Sequence, residues 1–112
     1  MLNNTASENI TALFSGNMLI NRGGRQIFVK ERELVLTGLE YNLLSLLVES
    51  HPQVVERENI ARYVFFRELE LCSKSINMHI SNLRGKIALH DKCIQIHAVR
   101  NIGYVIAYRE SM

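Results

Sequence analysis

The segment Ser73–Leu89, SKSINMHISNLRGKIAL, puts Lys74, Met78, Ser81, Asn82 and Gly85 on one side of a helix. A helix face that is merely solvated carries long charged residues. This one carries short hydrogen-bonding groups, one cation and one flexible apolar side chain, with His79, Arg84 and Lys86 on its flanks. Such a set suits a nucleic-acid groove. Cations meet phosphates, while amide, hydroxyl and apolar groups meet base edges. Asn82 can pair bidentately with adenine, and Met78 can touch a thymine methyl group. A methionine more often belongs to a core, but the stripe Met78 would join lies on the far side of this helix. The spacing therefore predicts a DNA recognition helix.

The elements that must position these residues can be read outward from it. Ile76, Ile80, Leu83 and Ile87 recur at helical steps and form the stripe that anchors the segment inward. Ser73 is the expected N-cap, preceded by a loop over Arg67–Cys72. A shorter helix is expected over Arg57–Phe66, with Ile60, Ala61, Val64 and Phe65 at helical spacing. Before it, Thr37-Gly38-Leu39-Glu40 is a capping box that opens a core helix running to Ser50. Leu39, Leu43, Leu46 and Leu47 are assigned to its buried face, widened by Tyr41, Leu44 and Val48. His51-Pro52 ends it, because the residue before proline avoids the helical region. Val54-Val55 reads as an apolar connector. Helix, helix, short connection and a third helix carrying the readout face is the order of a helix-turn-helix. Beyond it, Ile94–Val99 alternates as a half-buried strand, Arg100–Gly103 turns, and Tyr104–Tyr108 returns. A hairpin in that place is a wing, and Arg100 at its tip can reach a backbone or a minor groove.

Toward the other end, residues 1–9 are polar and aperiodic, as a linker is. Ala12–Phe14, Met18–Ile20, Gln26–Lys30 and Glu33–Leu36 read as short strands, with turns at Ser15–Asn17 and at Arg22–Arg25, where glycine tolerates positive φ. Three or four such strands make an antiparallel sheet too short to stand alone. The expected fold is α+β: a winged helix-turn-helix over residues 10–112, with an N-terminal antiparallel sheet, three helices and a C-terminal β-hairpin wing.

A chain of 112 residues with 47% hydrophobic residues is one globular domain with a modest core. Its formal charge of +2 is unevenly placed. Residues 73–104 hold Lys74, Arg84, Lys86, Lys92 and Arg100 against Asp91 alone, whereas residues 1–72 carry more glutamates than cations. The positive end is thus the end with the readout helix, as phosphate binding requires. Two cysteines, Cys72 and Cys93, make no disulfide framework, and the N-terminus has neither the basic nor the apolar region of a signal peptide. With no apolar run long enough to span a bilayer, the chain reads as cytoplasmic. Cys72, His79, His90, Cys93 and His97 lack the paired spacing of a metal module, so neither metal nor cofactor is expected. No nucleophile or phosphate-loop motif supports catalysis. The competing reading is a winged-helix module that binds protein and not DNA.

The chain resembles the winged-helix DNA-binding effector domain of OmpR/PhoB-type response regulators. The resemblance rests on Leu36-Thr37 with Glu40 and Leu43-Leu44, on Pro52, Val54-Val55 and Arg57-Glu58, on Met78–Arg84 with Lys86, and on Val99-Arg100 with Gly103-Tyr104. Met78–Arg84, MHISNLR, is most similar to the branch containing the envelope-stress regulator CpxR. The resemblance implies that Lys74, Met78 and Asn82 face bases. It implies that His79, Ser81 and Arg84 meet phosphates or the groove edge, that Arg100 enters the minor groove, and that Tyr104 braces the wing or touches a phosphate. It places Arg67, Glu68 and Glu70 in the segment that contacts RNA polymerase. It further implies an upstream receiver domain, a sensor kinase, and pairing on direct DNA repeats. Two positions depart from the pattern. Asn101 stands where glycine usually follows the wing arginine, and Gly85 stands where a basic residue is common.

Overall fold

A computed structural model describes residues 9–110, so all but the last residue of the linker expected over residues 1–9 lies outside the described residues. Four strands, β1 (Ile10–Leu13), β2 (Met18–Asn21), β3 (Gln26–Val29) and β4 (Arg32–Glu33), form an antiparallel meander in chain order. Alternation decides its inner face. Met18 opposes Val29, Ile20 opposes Ile27, and all four are fully buried. The β3–β4 turn has positive φ at Lys30 (50°) and Glu31 (71°), the two-residue geometry that fits the twist of a hairpin. In the Arg22–Arg25 turn the left-handed residue is Arg25 (φ 53°), not either glycine. Arginine is held there because its guanidinium lies 4.4 Å from the centre of the Tyr41 ring and donates to Asn42 Oδ1 at 3.0 Å.

Helix α1 (Gly38–Ser50) opens on the expected capping box. The Glu40 amide donates to Thr37 Oγ1 at 3.2 Å, and the Thr37 amide donates to Glu40 Oε1 at 3.0 Å. Its buried face is Glu40, Tyr41, Leu43, Leu44, Leu47 and Val48. Leu39 does not join it. Pairs at 40/41, 43/44 and 47/48 define the inward stripe, and both Leu39 and Leu46 project more than a third of a revolution from its centre, roughly 120–140° at 100° per residue. Leu39 is accordingly exposed and Leu46 partly so.

The Val54-Val55 connector contains a short strand, β5 (Val55–Glu56), which pairs with the wing. Helix α2 (Arg57–Ile60) widens into a π turn over Ala61–Phe65 and ends at Phe66, which is left-handed at φ 57°. Helix α3 runs from Leu69 to Ala88. It starts a full turn before the expected N-cap, so Arg67–Cys72 is mostly helix and Ser73 lies inside it. Cys72 is buried and Leu69 packs against the core, so burial of this first turn outweighed the capping preference of Ser73. Glu68 holds the N-cap position without a side-chain bond.

Strands β6 (Ile94–Val99) and β7 (Gly103–Tyr108) form the C-terminal hairpin, and the second sheet has the order β5-β7-β6. Its turn closes through the Ile102 amide on Val99 O at 2.9 Å, with Asn101 left-handed at φ 67°. Asparagine does here what glycine does at the third position of a type II turn. The core is one cluster drawn from both sheets and all three helices. Among the described residues, no helix is long and apolar enough to cross a membrane.

Two clamps on this frame yield predictions. A Cβ at Gly103 would lie 2.8 Å from Val55 C and closer still to Val55 O, so β5 and β7 approach only through a glycine. Gly103→Ala should cost about 2–3 kcal/mol by overpacking, whereas Gly85→Ala, which meets nothing within 4 Å, should gain roughly 0.5–1 kcal/mol of helix propensity. Urea titration of both variants checks this contrast. Glu40 provides the second clamp. Burial acts to raise its carboxyl pKa, but the Lys86 ammonium and the Thr37 amide bond the charged form and bring the net value below the usual 4.5. A depressed carboxylate pKa stabilises the fold above the unfolded value and loses that contribution as pH falls through the folded one. Glu40→Gln should therefore cost about 1–3 kcal/mol at neutral pH, with the two stability curves converging as acid protonates Glu40.

Candidate nucleic-acid interface

Helix α3 has four longitudinal strips, each with a different job. At roughly 100° per residue, Cys72, Ile76, Ile80, Leu83 and Ile87 form the inward strip, and all five are buried. Half a revolution away, Lys74, Met78, Ser81, Asn82 and Gly85 are all exposed, with Met78 at 54%. The candidate reading face is therefore a continuous outward strip, and its unbranched apolar member stands in solvent.

The other two strips pin the helix. On the side toward α1, Lys86 Nζ lies 2.6 Å from Glu40 Oε1 and 2.8 Å from Val35 O. Its charge is therefore directed inward across the helix pair. His79 shares that flank. Its Nδ1 lies 2.7 Å from Ser75 O, and its ring meets Phe65 edge-on. Both residues are half-buried, with intramolecular partners that spacing alone did not reveal.

Toward the wing, Arg84 Nε donates to Ile96 O at 2.9 Å, an outward-facing carbonyl of β6, while the rest of the side chain is exposed. Tyr104 is buried, and its hydroxyl donates to Asn77 Oδ1 at 3.2 Å. Arg57 joins the same cluster through Asn77 and Tyr104. The wing thus lies along the flank next to the outward strip. Arg100 is exposed in its turn. Asn77 and Arg57 were not among the site residues expected from sequence, although Arg57-Glu58 is one of the stretches that carry the resemblance. The signal for Asn77 was its place on the Ser73–Arg84 flank; Arg57 could be placed only once β5 was seen to pair with β7.

Arg67, Glu68 and Glu70 are exposed at the start of α3. They line a groove of about 960 Å³ that Glu58, Arg62 and Phe66 complete. Phe66 in that lining is 78% exposed, with left-handed backbone at φ 57°, and Tyr63, three residues before it in the chain, is 58% exposed. Cys72 is buried and Cys93 half-buried, and among the described residues no group of three or more potential ligands gathers to hold a metal ion.

Comparison with known proteins bears on the family and the fold. The family model described as transcriptional regulatory protein, C terminal, matches residues 31–106. The transcriptional regulatory protein BasR of Escherichia coli is 34% identical over 98 residues, covering 88% of this chain and 42% of BasR. The response regulator ArlR of Staphylococcus aureus is 34% identical over 87 residues, covering 78% of this chain and 40% of ArlR. This chain thus spans less than half the length of those relatives. Among solved structures, the DNA-binding domain of CpxR from E. coli superposes with a TM-score of 0.77 at 32% identity, covering 89% of this chain and 99% of that one. The RstA DNA-binding domain of Klebsiella pneumoniae, solved in complex with the RstA box, shares the fold with a TM-score of 0.76 at 23% identity. With the family model covering most of its length and BasR and ArlR both alike in sequence, the chain belongs to the C-terminal domains of OmpR/PhoB-type transcriptional regulatory proteins.

Proposed function

We propose that this domain binds double-stranded DNA sequence-specifically, as the output domain of a two-component response regulator that controls transcription. The observation that carries the reading is the outward strip Lys74–Met78–Ser81–Asn82, rigidly backed by buried isoleucines and flanked by a wing with Arg100 in its turn. A helix so presented fits a major groove, and the hairpin fits the neighbouring minor groove. Lys74, Met78 and Asn82 face bases. Ser81, Arg84 and Arg100 supply groove-edge and phosphate contacts. His79, Lys86 and Tyr104 belong to the same site, but their intramolecular partners make them supports that hold its frame. The CpxR and RstA domains, described as DNA-binding, support this assignment by likeness.

The exposed Arg67, Glu68 and Glu70 supply a second face, suited to RNA polymerase. The full-length regulator would add a receiver domain, addressed by a sensor kinase, and would pair on direct repeats in the cytoplasm. Family membership and the relatives' greater length support this reading of the partners.

Selection of bound duplexes from a random pool, followed by titration at several salt concentrations, tests the reading. A recovered consensus with steep salt dependence supports it. Salt-independent capture of a protein partner, with no duplex retained, would favour an interaction module. On the selected site, Asn82→Ala should cost about 1–3 kcal/mol and relax preference at one base pair. Arg84→Ala should weaken specific and random duplexes alike and lower the salt slope by about one. Equal losses on both duplexes for Asn82→Ala would remove it from the readout.

A further inference from the structure

Arg57 opens α2 immediately after β5. Its amide donates to Ile102 O at 3.1 Å, so its backbone is tied to the wing turn. Its side chain runs to the third helix. Nη1 donates to Asn77 Oδ1 at 2.8 Å and to Tyr104 Oη at 3.2 Å, and Nη2 donates to Ser73 O at 3.2 Å. The Tyr104 hydroxyl in turn donates to that same Asn77 oxygen at 3.2 Å. One planar guanidinium therefore joins α2, the wing and α3, in a fork whose donor directions are fixed.

Every α3 atom in this cluster lies on the flank facing the wing, about a quarter turn from the reading strip. The cluster consequently sets the rotation of α3 about its own axis relative to the hairpin. The geometry is unforgiving. Side-chain tips sit about 5–6 Å from a helix axis, so a rotation of roughly 20° would move them by about 2 Å. Hydrogen bonds to base edges tolerate only a few tenths of an ångström.

We infer that Arg57 is a positioning residue for specificity: with Asn77 and Tyr104 it fixes the angle between the helix and the wing, so that both fit their grooves at once. The inference rests on the DNA-binding reading. Its signature is loss of discrimination without loss of a phosphate contact.

The test compares Arg57→Met, Arg57→Lys, Tyr104→Phe and the Arg57→Met/Tyr104→Phe double variant. Each is titrated with a duplex selected by the unmodified domain and with a random duplex, across salt, after thermal melts establish folding. Tyr104→Phe keeps the buried ring and guards against an unfolded result. The expected outcome is a fall of roughly tenfold in the specific-to-random ratio for each single variant, with an unchanged salt slope. Arg57→Lys should fare like Arg57→Met, and the double variant should lose little more than either single one, because the groups act as a unit. A salt slope lowered by about one with the ratio preserved would make Arg57 a phosphate contact and overturn the inference. Full rescue by Arg57→Lys would overturn it as well, since charge and not geometry would then suffice. If the unmodified domain selects a consensus while every variant keeps the ratio, Arg57 has no such role and the DNA-binding reading stands. An unmodified domain that retains no duplex would overturn the DNA-binding reading itself.

Discussion

The rest of the structure depends on how α3 is held. Its inward strip, Ile76, Ile80, Leu83 and Ile87, is almost completely sealed from water. At about 1.5–3 kcal/mol per buried aliphatic side chain, that stripe fixes which face looks inward. Burial is non-directional, however, and leaves a helix free to rock. Polar clamps on the two flanks remove that freedom. Lys86 and Glu40 hold one side across to α1, and Asn77, Tyr104, Arg57 and Arg84 hold the other against the wing. What remains outward is the exposed strip of Lys74, Met78, Ser81 and Asn82, whose side-chain types suit a groove.

The two clamps differ in kind. Glu40 is buried and already used by the capping box, so Lys86 completes an ionic unit that must be whole. Removing one member leaves an under-compensated buried charge. The Arg57 cluster is built from one cation and neutral acceptors, with Tyr104 also within 5.9 Å of both Arg57 and Arg84. Its contribution is directional more than energetic. Electrostatics sets the first apart at low pH, while the second keeps its shape as long as its arginine is present.

Much of this was legible in the residues. The aliphatic spacing of α3, the Thr37–Glu40 box, the His51-Pro52 stop and the alternation of Ile94–Val99 are local signals, and each element stands where they point. The exposure of Met78 and Asn82 followed from the same periodicity. Where local signals competed with packing, the sequence misled. Ser73 looked like a cap, but burial of Cys72 carries the helix a turn further back. Leu39 looked like core because leucine is apolar, yet it lies off the buried stripe. The left-handed residue at Arg25 depends on Tyr41 and Asn42, which are remote in sequence. His79 and Lys86 sat correctly on the flanks; the partners they face come from other elements, which spacing cannot supply. The strand at Val55–Glu56 is likewise invisible without β7 beside it.

The most direct measurement is a nuclear magnetic resonance titration of the isotope-labelled domain with a duplex selected by it. The account predicts that the largest shifts fall on Lys74, Met78, Ser81, Asn82 and Arg100, with the Leu83 and Ile87 core signals unmoved. Shifts confined to the N-terminal sheet or to the Tyr63–Phe66 surface, with the outward strip of α3 silent, would contradict it.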